Sequence, residues 1–549
     1  MKIEKIMQKI IKTSVLLASA TCVFALSANS FANDVPPRVS SFLDYYWSDN
    51  NIHPFECHYT FVASPFHMPR CMQSSNIMER LESLQEISDD NGGNRAAGLE
   101  GYTESVNYVV DELEDMGYRV SYDSFDFNAF YERGDGQLSA LSPVPTSYQW
   151  DVDFTYLSQT EPGSVTATVE AVDLALGLDN ASSSGCETDD FLGFTAGNIA
   201  LVQRGACAFS VKAENAATAG AVGVVIFNQG NSEDRKGLIN ATLGSDYAGG
   251  IPVFFATYDN GEAWAAQESL TLSMMADVIR EVRTVDNVIA ETRWGDPDNV
   301  VMVGAHLDSV FEGAGINDNG SGAVAVLEMA DLLKRARIRN KVRFAWWGAE
   351  EAGLVGSTEY VQRLNAEELA RIKVYLNFDM IGSPNYFNGL YDGDGSDFGL
   401  AGPPGSAATE AMFERYFNLR AEPFEGSEIS FRSDYAEFFT QGVAFGGLFT
   451  GAEGIKSAEQ AATYGGYADI AFDECYHSAC DDINNINQRA LEVNGDAIAY
   501  VTSVFANTTR SIDDEIAAAA ETAPALQAFR TVASKQQYDI THWGKYWIK

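Results

Sequence analysis

The chain has 549 residues, of which 46% are hydrophobic and 12% aromatic, with 15 prolines. This length exceeds what one hydrophobic core usually serves, so we expect two or three folded units, and the composition excludes a fibrous or wholly disordered protein. The formal net charge of −41 disfavours binding to nucleic acid or to other polyanions.

Residues 1–32 have the pattern of a signal peptide. Four lysines come before or at the start of an apolar run from Ser14 to Leu26, and Ser30-Phe31-Ala32 places small residues at the cleavage positions. The run is too short to cross a bilayer comfortably and no later segment replaces it, so no membrane span is expected. We expect a secreted protein, extracellular or periplasmic, after cleavage near Ala32. Lipidation at Cys22 is a minor alternative.

Six of the seven cysteines follow the predicted signal peptide. An even number in an exported chain indicates disulfide bonds, although the sequence alone leaves the connectivity open. Proximity along the chain favours three local pairs. These pairs are Cys57 with Cys71, Cys186 with Cys207, and Cys475 with Cys480. For the first pair, a metal cluster with neighbouring histidines is the alternative.

The first part of the mature chain divides into an extension and the start of a domain. Residues 33–74 are rich in aromatic residues, histidine and proline without periodicity, and we interpret them as an N-terminal extension. Residues 75–130 are predicted to begin the catalytic domain. Helical spacing on either side of a turn at 91–94 predicts two helices, and alternation over 118–127 predicts a strand.

Residues 131–282 are predicted to form an inserted β-rich domain. A strand at 198–202 is followed by a small-residue helix at 209–221 and a buried strand at 221–227. With Arg204-Gly205 after the first strand, the stretch resembles a protease-associated domain. In related peptidases that domain carries no catalytic groups, so we expect it to cover the catalytic domain or to control substrate access.

Residues 283–509 alternate short apolar runs with helical lengths and are predicted to complete the catalytic domain. The apolar runs lie at 299–305, 341–347, 374–379 and 442–449. Such alternation predicts an α/β fold, a mostly parallel mixed sheet flanked by helices. Ligands of such sheets bind beyond the carboxyl ends of the strands. Residues 510–549 are interpreted as a C-terminal tail or propeptide.

Imidazole and carboxylate groups follow these predicted strands. They are His306 and Asp308, Asp318 in a glycine-rich turn, Glu350 and Glu351, Asp379, and the distant His477. Two imidazoles with three carboxylates suit zinc better than calcium or magnesium, which prefer oxygen alone. Five ligands exceed the three that one catalytic zinc takes, so we predict two Zn²⁺ per chain.

Asp318 is predicted to bridge the two zinc ions. His306 and Asp379 would complete the ligands of one ion, and Glu351 and His477 those of the other. A hydroxide between the ions would attack the substrate carbonyl. These assignments predict a hydrolase.

Two further carboxylates have predicted roles beside the metals. Glu350 remains free next to Glu351, and a free carboxylate at such a site is what a general base requires. Asp308 lies two residues after His306 and is expected to hold the second nitrogen of its imidazole, which would fix the tautomer.

The ordered motifs resemble the co-catalytic dizinc aminopeptidase family typified by secreted bacterial leucine-type aminopeptidases. They are Gly304 to Val310, Gly315 to Gly322, Phe344 to Glu351, Tyr375 to Pro384, Gly446 to Ala452, and Cys475 to His477. The resemblance implies the dizinc aminopeptidase fold, peptide substrates with a free N-terminus, removal of large apolar N-terminal residues, and a monomer.

The same resemblance implies roles for substrate-binding residues. Tyr476 is expected to stabilise the oxyanion as a hydrogen-bond donor, and Arg432 to help seat the substrate. Phe449 is expected to form a wall of an apolar pocket. Glu350 and Asp379 are candidates for holding the free amino group. Some relatives bind calcium at a place separate from the zinc pair. Because the chain has no EF-hand pattern, bound Ca²⁺ is an expectation by analogy alone.

Three other functions on related folds remain as alternatives. A carboxypeptidase would need cationic groups for a terminal carboxylate, and no arginine cluster lies near the motifs. An aminoacyl cyclase keeps one working zinc, whereas the full ligand set favours two. A catalytically silent receptor-like ectodomain would have lost ligands that this chain retains. A serine hydrolase is disfavoured because no Gly-x-Ser-x-Gly motif is present.

Overall fold

The structure is a computed structural model that describes Cys57 and residues 63–521. The predicted signal peptide, Cys22, most of the N-terminal extension and the tail beyond residue 521 lie outside the described residues. No helix in the described part of the chain combines the length and the hydropathy needed to cross a bilayer.

The described residues form sixteen strands and twelve α-helices. The strands are β1 (Val120–Glu132), β2 (Gln137–Ser142), β3 (Thr146–Ser147), β4 (Phe154–Tyr156), β5 (Gly163–Val172), β6 (Ile199–Gln203), β7 (Gly223–Phe227), β8 (Val253–Ala256), β9 (Thr271–Ala276), β10 (Val278–Glu291), β11 (Asp296–His306), β12 (Asn340–Trp347), β13 (Ile372–Phe378), β14 (Gly389–Tyr391), β15 (Glu425–Ser427) and β16 (Phe445–Phe449). The helices are α1 (Ser74–Asp90), α2 (Glu100–Asp115), α3 (Phe209–Thr218), α4 (Tyr258–Ala265), α5 (Gly322–Leu333), α6 (Val355–Arg363), α7 (Ala366–Arg371), α8 (Ser406–Arg420), α9 (Tyr435–Thr440), α10 (Ala458–Tyr464), α11 (Gln488–Asn507) and α12 (Arg510–Glu521). A π-helical turn covers Ile316–Ser321.

The first sheet has eight strands in the order β1-β10-β12-β11-β13-β16-β14-β15. Its centre is parallel, since β11 pairs in parallel with β12 and β13, and β13 with β16. Towards the edges, β1, β10 and β12 pair antiparallel, as do β14 and β16. The predicted class, a mostly parallel mixed sheet flanked by helices, is confirmed.

Both faces of this sheet are buried, and successive residues of the central strands belong to different hydrophobic cores. Val303 and Leu376 belong to one core with residues of α1, α5 and α11. Met302 and Tyr375, their neighbours in the chain, belong to a second core with residues of α6 and α9. Because successive strand residues point to opposite faces, apolar runs without polar interruption are what a sheet covered on both sides requires.

The second sheet also has eight strands, in the order β3-β2-β9-β5-β6-β7-β8-β4. The predicted strand, helix and strand of the inserted domain are found as β6, α3 and β7. The long strands β1 and β10 pair antiparallel from Val120 with Ala290 to Glu132 with Val278. The chain thus leaves the first sheet along β1, forms the second sheet, and returns along β10.

All three predicted cysteine pairs are joined in the structure: Cys57 with Cys71, Cys186 with Cys207, and Cys475 with Cys480. The bond between Cys57 and Cys71 removes the thiols that the alternative metal cluster would have needed.

Candidate active site

The parallel strands bring the chemically active groups to one edge of the first sheet. His306 ends β11 and pairs with Trp347, the last residue of β12. Asp379 directly follows β13, and Glu350 and Glu351 lie in the turn after β12. Since parallel strands end at the same edge, residues far apart in the sequence meet there.

Two groups reach this edge from loops. Asp318 lies in the π-helical turn that follows Gly315, whose φ of 62° favours glycine. His477 lies between α10 and α11 and adopts a φ of 53°, which is uncommon for a residue with a Cβ atom. The disulfide between Cys475 and Cys480 closes a short loop around this histidine.

Asp318 lies between the two imidazoles. Its Oδ1 is 3.2 Å from His306 Nε2, and its Oδ2 is 3.1 Å from His477 Nε2. His306 Nε2 also lies 3.4 Å from Asp379 Oδ1, and His477 Nε2 lies 3.1 Å from Glu351 Oε2. The five predicted metal ligands are therefore brought together, with one carboxylate shared.

Donor atoms in this cluster form two compact groups. One contains His306, Glu350 and Asp379, and the other contains Asp318, Glu351 and His477, with donor atoms in each group within 4.8 Å of one another. Glu350, the predicted general base, thus belongs to the same compact group as the predicted ligands His306 and Asp379.

Charge in the cluster is unbalanced. Burial lowers the pKa of His306, but Glu350 and Asp379 outweigh this effect and raise the pKa well above its usual value. At Asp318 burial acts in the opposite direction and by itself would raise the pKa, but the two imidazoles hold that pKa below its usual range. Burial raises the pKa of Glu351 to about 7 and that of Glu350 well above its usual value. The buried carboxylates outnumber the imidazoles, which favours binding of cations.

Unsatisfied oxygens in the same cluster indicate where cations would bind. Among the described residues, Asp379 Oδ1 and Glu351 Oε1 are buried without a hydrogen-bond partner. Buried carboxylates are normally paired or coordinate a metal, because leaving them unpaired is costly. Imidazole nitrogens mixed with carboxylate oxygens suit zinc. The residues present therefore fit a pair of zinc ions.

Asp308 contacts the site differently from the expectation. β11 ends at His306, so Asp308 lies beyond the strand, and its main-chain carbonyl oxygen is the hydrogen-bond partner of His306 Nδ1 at 3.1 Å. Its carboxylate Oδ1 is 3.6 Å from that nitrogen. The carboxylate instead accepts the N–H groups of Glu350 and Glu351, at 3.2 and 3.3 Å. The side chain therefore positions the two glutamates, while the main chain orients the imidazole.

Sequence reasoning missed two buried groups that support the metal-binding turn. Asp481 accepts the N–H groups of Asn317 and Asp318 at 2.8 and 3.0 Å. Arg95 is 0% exposed and donates to the carbonyl oxygens of Leu307, Ala314 and Gly315.

Little in the sequence could have identified either group. Asp481 directly follows Cys480, which is one weak signal, and Arg95 lies in the predicted turn region near residue 94. Ser433, which donates to Asp379 Oδ2, was missed as well and follows Arg432 directly.

A cavity of about 390 Å³ opens above the cluster. The remaining predicted residues, Tyr476, Arg432 and Phe449, line it together with the metal ligands. Arg432 donates to Glu453 Oε1 at 2.6 Å and to Tyr476 Oη at 3.1 Å. Tyr476 also stacks on the ring of His477, with ring centroids 3.8 Å apart. Arg432 and Tyr476 therefore form a connected part of the cavity wall, and Phe449 contributes a separate part of the lining.

Comparison with known proteins places the chain in a family. The profile of peptidase family M28 matches residues 287–502, and the PA domain profile matches residues 165–264. An aminopeptidase of Pseudomonas aeruginosa is 58% identical over 534 residues, covering 97% of this chain and 99% of that protein. This chain belongs to peptidase family M28. It is an aminopeptidase of that family with an inserted PA domain.

A more distant relative supports the aminopeptidase assignment, and a solved structure supports the fold. Leucine aminopeptidase 2 of Trichophyton tonsurans is 38% identical over 439 residues, covering 79% of this chain and 84% of that protein. A zinc aminopeptidase of Bacillus subtilis superposes with a TM-score of 0.53, covering 78% of this chain and 94% of that one at 24% identity. That structural likeness shows that the two chains share a fold.

Proposed function

We propose that this M28 aminopeptidase binds two zinc ions and removes large apolar residues from the N-terminus of peptides. The observation that carries the proposal is Asp318, whose two oxygens face His306 on one side and His477 on the other. A carboxylate shared between two sets of ligands is what a two-metal site requires.

His306, Asp318 and Asp379 would hold one ion, and Asp318, Glu351 and His477 the other. Zinc there would act as a Lewis acid on the scissile carbonyl and would lower the pKa of water. The hydrogen bond of His306 Nδ1 to the carbonyl oxygen of Asp308 orients the ring, so that Nε2 is the nitrogen that would ligate a metal.

Glu350 is the proposed general base. It lies within the cavity, and the N–H bond to Asp308 holds its main chain in place. Burial raises the pKa of its carboxyl well above the usual value, with Glu351 adding to the rise and His306 opposing it. Glu350 would take a proton from the attacking water and return it to the departing amine.

Tyr476 is the proposed donor to the oxyanion. Burial raises the pKa of this phenol well above its usual value, so the hydroxyl stays protonated and can donate. Arg432 donates to the same oxygen and holds it at the cavity wall. Arg432 would thus seat the substrate by fixing Tyr476 as well as by its own charge.

An apolar patch supports the proposed preference for large apolar residues. Phe449 lines the cavity together with Met380, Phe387 and Phe472, and its ring meets the ring of Phe387 edge-on. Carboxylates that line the same cavity, Glu350 and Asp379, would hold the free amino group of the substrate. A chain without a free N-terminus would leave those carboxylates unpaired.

We also propose export and the division into domains predicted from the sequence. Residues 1–32 would be removed as a signal peptide, and the three disulfide bonds support an oxidising compartment. The catalytic domain would comprise residues 75–130 and 283–509, interrupted by the PA domain at 131–282, and the protein would act as a monomer. The profile matches fall inside these boundaries.

Hydrolysis of leucine p-nitroanilide by zinc-loaded protein tests the activity and the metal together. We expect hydrolysis that a zinc chelator abolishes and added zinc restores, with two zinc ions per chain by elemental analysis. The matched control is N-acetyl-leucine p-nitroanilide, which should not be cleaved. Equal cleavage of the acetylated substrate would contradict the aminopeptidase assignment, and a single zinc at full activity would contradict the two-metal site.

A further inference from the structure

The outer part of the catalytic cavity differs from its floor. The floor contains the proposed zinc ligands and Glu350, which are largely buried. Glu428 and Phe398 line the same cavity but are exposed, Phe398 by 52%. We call these two residues the mouth of the cavity. A peptide whose N-terminus lies at the floor must pass them on its way to solvent.

Hydrogen bonds hold the two residues of the mouth on one rim. Phe398 belongs to the loop after β14, and Glu428 directly follows β15. The N–H of Asp392, in the same loop, donates to Ser427 O at 3.0 Å, and the N–H of Phe398 donates to Asp392 Oδ2 at 2.7 Å. Asp392 therefore connects Phe398 to the strand that ends just before Glu428.

The charge at the mouth is negative. Among the described residues that line the cavity there is no lysine and a single arginine, Arg432, which pairs with Glu453 Oε1 at 2.6 Å. Glu425 accepts a hydrogen bond from the amide of Gln460 at 2.9 Å, and no described lysine or arginine forms an ion pair with Glu428. The zinc ions proposed above would balance the carboxylates of the floor. Glu425 and Glu428 then set the charge of the outer cavity.

We propose that the mouth binds a lysine or arginine side chain in the second or third residue of the peptide, and that Glu428 determines this preference. The inference rests on the substrate orientation proposed above, with the N-terminal residue at the zinc site. A cavity of about 390 Å³ has the volume of a cube about 7 Å on a side, and an extended chain advances about 3.5 Å per residue. The second and third residues therefore reach the mouth.

The mouth suits a long cationic side chain in particular. The methylene stem of lysine or arginine would lie on the ring of Phe398, and the charged end would lie near Glu428. A glutamate at the same place in the peptide would meet a like charge. Because a charge pair open to solvent is weak, we expect a preference of about two- to fivefold, which high ionic strength should reduce.

Hydrolysis of matched peptides by the zinc-loaded, full-length protein tests the inference. The peptides are Leu-Lys-Ala-Ala, Leu-Gln-Ala-Ala and Leu-Glu-Ala-Ala, with a second set that carries the variable residue in third place. At one of the two places, kcat/KM should be about two- to fivefold higher for lysine than for glutamine, and lower for glutamate than for glutamine.

Two substitutions of Glu428 identify the residue responsible. Glu428→Gln should bring the ratio of lysine to glutamine peptide close to one, and Glu428→Lys should reverse the preference in favour of glutamate. Glu114→Gln removes an equally exposed glutamate on α2 and is the matched control, with the ratio of the parent protein. Because Glu428 is exposed, both variants are expected to fold, and a loss of stability cannot reverse a preference between substrates.

Equal kcat/KM for the lysine and glutamate peptides in the parent protein would overturn the inference. So would a preference that both Glu428 variants leave unchanged. Leucine p-nitroanilide has no second residue and separates this result from the proposed function. Its hydrolysis without any preference among the peptides would count against the inference alone, whereas no hydrolysis of it would count against the proposed function.

Discussion

Asp308 Oδ1 accepts the main-chain N–H of Glu350 at 3.2 Å, so the residue after β11 holds the turn after β12. The second carboxylate oxygen holds Glu351 in the same way. One side chain thereby sets the positions of both the proposed base and a proposed metal ligand. The orientation of the His306 imidazole depends on the main-chain carbonyl of Asp308, and a substitution of the Asp308 side chain leaves that carbonyl in place.

Asp308→Asn should therefore reduce turnover with zinc retained. The amide can accept only one of the two N–H groups, so we expect kcat to fall by about 10- to 100-fold. Steady-state kinetics and elemental analysis of the same preparation measure both effects. Loss of zinc with little change in the kcat of the reloaded enzyme would instead mean that the carboxylate acts through His306.

Glu350→Gln should keep both metals and lose proton transfer. The amide is nearly isosteric but cannot accept the proton from water, so kcat should fall by about 10²- to 10⁴-fold. Glu359→Gln on α6, where the side chain is 45% exposed, is the control and should leave kcat unchanged. A zinc count below that of the parent protein would show that Glu350 is a ligand rather than the base.

Tyr476→Phe should lower kcat by about 10²- to 10³-fold, the usual effect of removing one oxyanion donor. KM should change little, because the hydrogen bond is proposed to form as the oxyanion develops. Arg432→Gln and the double variant complete the test. If Arg432 acts by fixing Tyr476, its substitution should have a much smaller effect in the Tyr476→Phe background.

Phe449→Ala should shift the preference for the first residue of the substrate. Removing the ring enlarges the apolar pocket, so kcat/KM for a leucyl substrate should fall by about tenfold relative to an alanyl substrate. Phe449→Leu keeps an apolar wall and should give an intermediate ratio. Unchanged ratios in both variants would place the pocket elsewhere.

Arg95→Met should destabilise the fold. The guanidinium donates to the carbonyl oxygens of three buried residues, and the thioether has no N–H group to replace those bonds. We expect a loss of about 3 to 5 kcal/mol in the free energy of unfolding, measured by urea denaturation. Arg119→Met, at an exposed position before β1, is the control and should change it by less than about 0.5 kcal/mol.

Much of the fold was readable because its signals are local. The runs that became β11, β12, β13 and β16 are mostly apolar and do not alternate between apolar and polar residues, since both faces of the sheet are buried. The three disulfide pairs were predictable because each closes a short segment. A mixed sheet was predicted, but the sequence did not indicate which strands pair antiparallel, because the pairing of β10 with β12 depends on where the chain returns from the second sheet.

The candidate site likewise has residues that the sequence predicted and contacts that only the structure revealed. His306, Asp318, Glu351, Asp379 and His477 could be named from the sequence, because each follows a strand or a distinctive turn and zinc limits which donors suit it. The partners of Asp308 and the support from Arg95 and Asp481 were decided only by the tertiary structure. A side chain's hydrogen bonds depend on how loops pack after the strands align, and segments hundreds of residues apart meet there without any shared pattern.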